Sequence, residues 1–292
     1  MVELLFCIII YKKLTKRLLT VNDTERIELE NYLANHFNKQ EQIEDYCDEF
    51  IPQWQEWLRK HDVPEILNDI ICSKRPVKFA SPESIKIEIY ESAAGKVPVI
   101  IFGDNADFEN FIVNLIYKGM KPDNISQMGA SFIYGKIQRF LALSKKYYSN
   151  TPPEYIGLSP EEWREKSMII RREHECTHYY TKKFYGSASN NLHDELIADF
   201  FGLYEAFGRY DAKLFQHFMG IDGTHDGRLS LYTLGLSPKV REAIADIARK
   251  CSDILEEWSK SDNFIKLSRT ERINYLCETS IKEMAGLHYN IV

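Results

Sequence analysis

The tract 159–208 restricts the possible folds more than any other part of the chain. Ser159-Pro160-Glu161-Glu162 sets a capping serine before a proline at the first helical position and a glutamate at the third. That combination starts helices because it satisfies the otherwise free amides of the first turn. The periodic pattern that follows runs to Gly186, a natural stop because glycine accepts a left-handed backbone. A second helix is predicted from near Asn191, with Asp194 three residues on, to near Gly208. Any architecture for this chain must therefore house a long helix followed closely by a shorter one.

The long helix carries His174-Glu175-Cys176-Thr177-His178. Residues four apart share a helical face, so both imidazoles can reach one ion while Glu175 leans toward a water bound to it. A catalytic zinc takes three protein ligands and keeps one position for water, so a third ligand is needed. Glu195 on the second helix fits that role. With a rise of about 1.5 Å per residue, antiparallel helices joined across 186–190 bring it opposite the histidines. Leu196, Phe200, Leu203 and Phe207 make one stripe of that helix, for the core. Glu195, Asp199, Gly202 and Ala206 make another, whose small residues permit close helix approach. Asp199 is then placed to accept the second ring N–H of a ligand histidine, fixing its tautomer.

HExxH followed by a helix bearing Glu195 and, four residues later, Asp199 resembles the gluzincin group of zinc metallopeptidases. Glu195-Leu196-Ile197-Ala198-Asp199-Phe200-Phe201 is also similar to the ExxA(D/N)xF segment of the bacterial ImmA-like peptidases. The likeness covers residues 174–202. It implies an α+β, zincin-like fold, mostly helical, with a small mixed sheet preceding the HExxH helix. It also implies Zn2+ held by His174, His178 and Glu195, and a peptide or protein substrate cleaved by water from which Glu175 takes a proton. Related enzymes add a Tyr, His or Arg from a downstream segment as an oxyanion donor, and His225, Arg228 and Tyr232 in the loop 222–232 are the residues of those types here. In zincins a sheet-edge strand above the metal helix pairs with the substrate. The stretch 131–143 is the candidate, with an ordinary internal hairpin as its plain alternative.

Other readings of the same residues are weaker. Glu175-Cys176-Thr177-His178 satisfies the ExxH of di-iron carboxylate bundles, but these need a second ExxH, which the chain lacks. His193 is an alternative third ligand, yet at a helix start it reads as a capping or surface residue. Cys176 lies about 200° around the helix from His174 and reads as a buried core thiol rather than a nucleophile. A catalytically inactive zincin-like binding or regulatory module is the rival from another class; the intact general base Glu175 argues against it.

The remaining sequence divides into an N-terminal helical region, 1–75, and a zincin-like domain, 76–292, with a sheet-containing part at 76–150 and a helical part at 151–292. Asn22 and Glu25 form a capping-box pattern, and Leu33, Phe37, Tyr46, Phe50, Trp54 and Trp57 continue an apolar, aromatic spacing suited to a core. Alternation at Ile85, Ile87 and Ile89, the run 97–102, and 131–143 broken near Gly135 predict strands, with a helix over 108–118. Helices are also expected after Ser237-Pro238 and after Ser268, where Glu271 completes a box. The net charge of -6, without a basic block, argues against nucleic-acid binding. Six scattered cysteines without a CxxC pair fit a reducing, cytoplasmic location. The apolar start, residues 1–10, is too short to span a bilayer and has its positive charges on the wrong side for export. It is expected to be a buried strand or helix, and no membrane association is expected. The sequence specifies no oligomeric state.

Overall fold

The computed structural model describes residues 22–41, 47–135, 138–186 and 191–287, so the expectations for the N-terminal run, for Tyr46 and for most of the 186–190 turn lie outside the described residues. The principal elements are α1 (Asp23–Tyr32), α2 (Ile51–Lys60), β1 (Lys86–Ser92), β2 (Gly95–Phe102), α3 (Asn105–Leu115), β3 (Ala130–Tyr134) and β4 (Arg139–Ser144). They continue with α4 (Pro160–Tyr185), α5 (Leu192–Phe207), α6 (Ala212–Met219), α7 (Pro238–Ser259) and α8 (Arg269–Glu278). The fold is α+β, mostly helical with a small mixed sheet placed before the long helix, as expected. Among the described residues no helix is long and apolar enough to cross a membrane.

The chain forms two compact units that interleave along the sequence rather than following a simple N-to-C division. One draws on Met1–Lys39, Tyr185–Tyr204 and Gly208–Val292, the other on Gln40–Phe184 with Glu205–Phe207.

The second of these holds the sheet, in the order β1-β2-β4-β3. β1 and β2 form an antiparallel hairpin, β2 and β4 run parallel, and β3 pairs antiparallel with β4 from Ala130 opposite Leu143 to Tyr134 opposite Arg139. The turn near Gly135 thus separates two strands, as the sequence predicts. α3 begins three residues before its predicted start because Asp104 caps it, accepting from the amides of Ala106 (2.7 Å) and Asp107 (3.1 Å). Trp54, Ile100, Phe102, Phe108, Phe111 and Phe140 form the heart of this unit's core.

Within the same unit α4 lies against the sheet's edge strands. The Phe132 ring of β3 packs on Tyr179 at 5.3 Å, the Lys182 ammonium sits 3.8 Å from the Tyr134 ring, and the Tyr90 hydroxyl of β1 donates to buried Glu173 at 2.5 Å. Arg171 fixes the end of β4 by donating to the carbonyls of Ser144 (2.6 Å) and Lys146 (3.0 Å). Gly129 makes room for that guanidinium, since a Cβ there would fall 2.5 Å from Arg171 Nε. The predicted cap of α4 is present, with Ser159 Oγ accepting from the Glu162 amide at 3.3 Å and Glu162 accepting from the Ser159 amide at 3.1 Å.

The other unit is helical. Asn191 caps α5 by accepting from the Asp194 amide at 3.0 Å, and Gly208 ends it in the left-handed region at φ 69°. Phe200 is surrounded by Tyr204, Tyr210, Trp258 and Phe264. The capping boxes at Asn22 and Ser268 start α1 and α8, and α7 starts after Ser237. α5 departs from the two-stripe expectation, because every residue from Leu192 to Leu203 is buried. Such a helix can keep acidic side chains only if their charge is answered locally.

Candidate metal centre

On α4, His174 and His178 stand one turn apart with their Nε2 atoms 3.0 Å from each other and their rings nearly perpendicular, at 85°. His174 is 6 % exposed, and its Nδ1 lies 3.1 Å from the hydroxyl of Tyr148, itself buried. Tyr148 follows β4, and its amide is held by Ser167 Oγ of α4 at 3.0 Å, so the same helix that carries the histidines also positions their tyrosine neighbour. Glu175 is half-buried, and Cys176 is a buried thiol, as expected.

On α5, Glu195 and Asp199 stand one turn apart, both buried. Arg228 answers their charge: one guanidinium nitrogen donates to Asp199 Oδ2, and another lies 3.5 Å from Glu195 Oε2. The Tyr232 hydroxyl donates to the same Glu195 oxygen at 2.8 Å. Burial pushes the Tyr232 hydroxyl well above its ordinary pKa, and the Glu195 carboxylate adds to that, so it stays a neutral donor at any working pH. Tyr32 ties this arrangement to the start of α5, donating to the Tyr232 carbonyl and accepting from the Leu192 amide, each at 3.2 Å.

Of the sequence-predicted ligands, His174 and His178 lie together on α4 in one unit, and Glu195 lies on α5 in the other. Of the three residues named as oxyanion donors, Arg228 and Tyr232 meet the α5 carboxylates, whereas His225 belongs to a separate cluster with His217 and Asp222. Asp199, expected beside a histidine ring, accepts from Arg228. His193 is a core residue rather than a surface or capping one. Its Nε2 lies 3.0 Å from the Leu276 carbonyl and its ring meets Phe37 edge-on, and burial lowers its pKa to about 4, leaving it neutral. Tyr148 and Tyr32 were not anticipated, because neither lies in a motif and only the fold brings them to these positions.

Helix, sheet and side chains together define a class: an α+β protein with a paired buried and half-buried imidazole on a long helix and charge-compensated carboxylates on the next. The chain belongs to a family of unknown function (DUF7005), whose profile matches residues 66–139 and 137–288. Comparison with curated proteins and with solved structures gives no match.

Proposed function

We propose that the chain is a zinc-dependent metallopeptidase of zincin-like fold, with His174, His178 and Glu195 holding the metal and Glu175 acting as general base. The observation that carries this reading is the imidazole pair, with Nε2 atoms 3.0 Å apart on one helical face. The donors fit the ion: two nitrogens at about 2.0 Å on a tetrahedral zinc lie about 3.3 Å apart, and two imidazoles with one carboxylate form a familiar catalytic set that leaves a position open. With Nε2 given to a ligand role, neutral His174 carries its proton on Nδ1 and donates it to the Tyr148 oxygen, which holds the ring's orientation. Tyr232 and Arg228 hold the Glu195 carboxylate in the same way.

Zinc bound there would supply a Lewis acid for the scissile carbonyl and lower the pKa of water. Glu175 takes the proton of the attacking water and delivers it to the leaving amine. β3 is an edge of the four-stranded sheet, and its Phe132 packs on Tyr179, the residue after His178. An extended peptide adding to that edge would run alongside the histidine-bearing helix, which favours a peptide or protein substrate over a small amide. Five buried thiols among the described residues support a reducing, cytoplasmic location.

The test is metal analysis of the purified chain with two variants. His178→Ala should lose one equivalent of zinc, and Glu175→Gln should keep its zinc while losing hydrolysis of a peptide library. Unchanged zinc content in His178→Ala defeats the proposal. Zinc without any peptide hydrolysis by the unaltered chain favours a binding module over an enzyme.

A further inference from the structure

A second group of ligand-type side chains lies in the helical unit, in the loop that follows α6. His217 Nδ1 is 2.7 Å from Asp222 Oδ2, His225 Nδ1 is 3.8 Å from Asp222 Oδ1, and the two imidazole rings have centroids 4.3 Å apart. Thr224 Oγ1 lies among them, 2.8 and 2.9 Å from the two Asp222 oxygens, 3.0 Å from His225 Nδ1 and 3.5 Å from His217 Nδ1. Two imidazole nitrogens and a carboxylate oxygen all lie within 4.8 Å of one another. We propose that His217, Asp222 and His225 form a second site for a first-row divalent metal ion of the zinc class.

Three features separate this cluster from a casual surface contact. The loop is closed at its base by two glycines packed back to back. A Cβ on Gly220 would fall 2.0 Å from the Gly227 amide nitrogen, and a Cβ on Gly227 would fall 2.1 Å from that of Gly220. Backbone bonds from Ile221 to the Gln216 carbonyl (2.9 Å) and from Arg228 to that of Phe218 (3.2 Å) hold the two ends, and Arg249 Nε donates to the Ile221 carbonyl at 2.7 Å. The ligand positions are therefore set before any ion arrives, which lowers the ordering cost of binding.

The donor types and their access also suit a metal. Mixed imidazole and carboxylate donors select zinc, copper, nickel or cobalt over magnesium or calcium. Asp222 Oδ1 accepts from the Thr224 amide at 3.0 Å and both its oxygens accept from the Thr224 hydroxyl, so the carboxyl group is already oriented. Side-chain exposure rises from 9 % at His217 through 16 % at Asp222 to 35 % at His225, which leaves a path from solvent and room for water to complete the coordination. The cluster immediately precedes Arg228 and Tyr232 in the chain. An ion here would staple the loop that positions Glu195, and its role is structural support for that carboxylate.

Chelator-stripped full-length protein titrated with zinc alone tests this by calorimetry and by elemental analysis. The wild-type chain should bind two equivalents, His225→Ala one, His178→Ala one, and the double variant none. Asp222→Asn should lose the same equivalent as His225→Ala, and because His225 is the most exposed of the three, its loss is not confused with unfolding; circular dichroism and Tm check the fold of each variant. Wild-type stoichiometry in folded His225→Ala overturns the second site. If His225→Ala loses an equivalent and His178→Ala does not, the second site stands and the proposed catalytic one falls. If only His178→Ala loses zinc, the second site falls alone. No zinc bound by the wild-type chain overturns both.

Discussion

The two histidine clusters are built by opposite means. His174 and His178 are brought together by helix geometry, since any two residues four apart on α4 would share its face, and a tyrosine from outside the helix then selects the ring orientation. His217, Asp222 and His225 are brought together by loop closure, which depends on two glycines touching at Gly220 and Gly227. The first arrangement is held by the packing of a long helix on a sheet. The second is held by a few backbone bonds and by the absence of two side chains. The helix-borne pair should therefore tolerate local changes that abolish the loop-borne cluster, while chemistry beyond binding should belong to the first, in which Glu175 directly follows the proposed ligand His174.

The largest expected effect tests that division of labour. Glu175→Gln should lower peptide hydrolysis by about 10²–10⁴-fold, the usual contribution of a general base, while both zinc equivalents remain. Single-turnover assays with a susceptible peptide, read beside elemental analysis, check this. A variant with undiminished hydrolysis would move the chemistry away from α4.

Gly227→Ala attacks the loop's base. The added methyl cannot avoid the Gly220 backbone, so the loop must shift, at about 2–3 kcal/mol of stability, read as a drop in unfolding midpoint. Zinc stoichiometry should fall from two to one, because the α4 imidazoles do not depend on this closure. A fall to zero would show that Glu195, which the loop positions through Arg228 and Tyr232, cannot be held once the closure is lost, and the contrast between the clusters would break.

Tyr148→Phe acts on the other side of the comparison. Removing the hydroxyl that lies 3.1 Å from His174 Nδ1 takes away the ring's orienting partner, and loss of such an outer contact typically weakens a site by about 10–100-fold. Competition with a chromophoric chelator should show that change in one equivalent only, with the loop-borne equivalent unaltered.

What the sequence reveals follows the same divide. The helix starts at Ser159, Asn191 and Ser268, the strand pattern of 85–102 and the spacing of His174, His178, Glu195 and Asp199 are all local or periodic, so they can be read directly. Tyr148 and Tyr32 cannot, because they reach the site residues across 26 and 160 positions of chain respectively, to His174 and Leu192, through packing alone. The burial of every residue of α5 from Leu192 to Leu203 is also hidden. Its acidic residues mimic the solvent face of an amphipathic helix, and Arg228, with Tyr232, arrives from outside to answer the charge of Glu195 and Asp199. Gly220 and Gly227 are legible as turn formers but not as a contacting pair.

The smallest effect is the sharpest check on whether helix geometry alone holds the first cluster. Asn191→Ala removes the side chain that caps α5 at the Asp194 amide, a loss of about 1 kcal/mol. Glu195 lies in the first turn of that helix, so fraying there would displace the carboxylate directly. Tyr32, bonded to the Leu192 amide, and the Tyr232 and Arg228 bonds to Glu195 act on the same turn from outside. If these external bonds suffice, Asn191→Ala lowers the unfolding midpoint slightly and leaves zinc affinity at both sites within a factor of about two, since 1.4 kcal/mol corresponds to tenfold and only a small part of the cap's contribution would reach the ligand. A loss approaching tenfold at the helix-borne site would mean that the cap itself holds Glu195, and that the carboxylate half of the centre is as dependent on local detail as the loop.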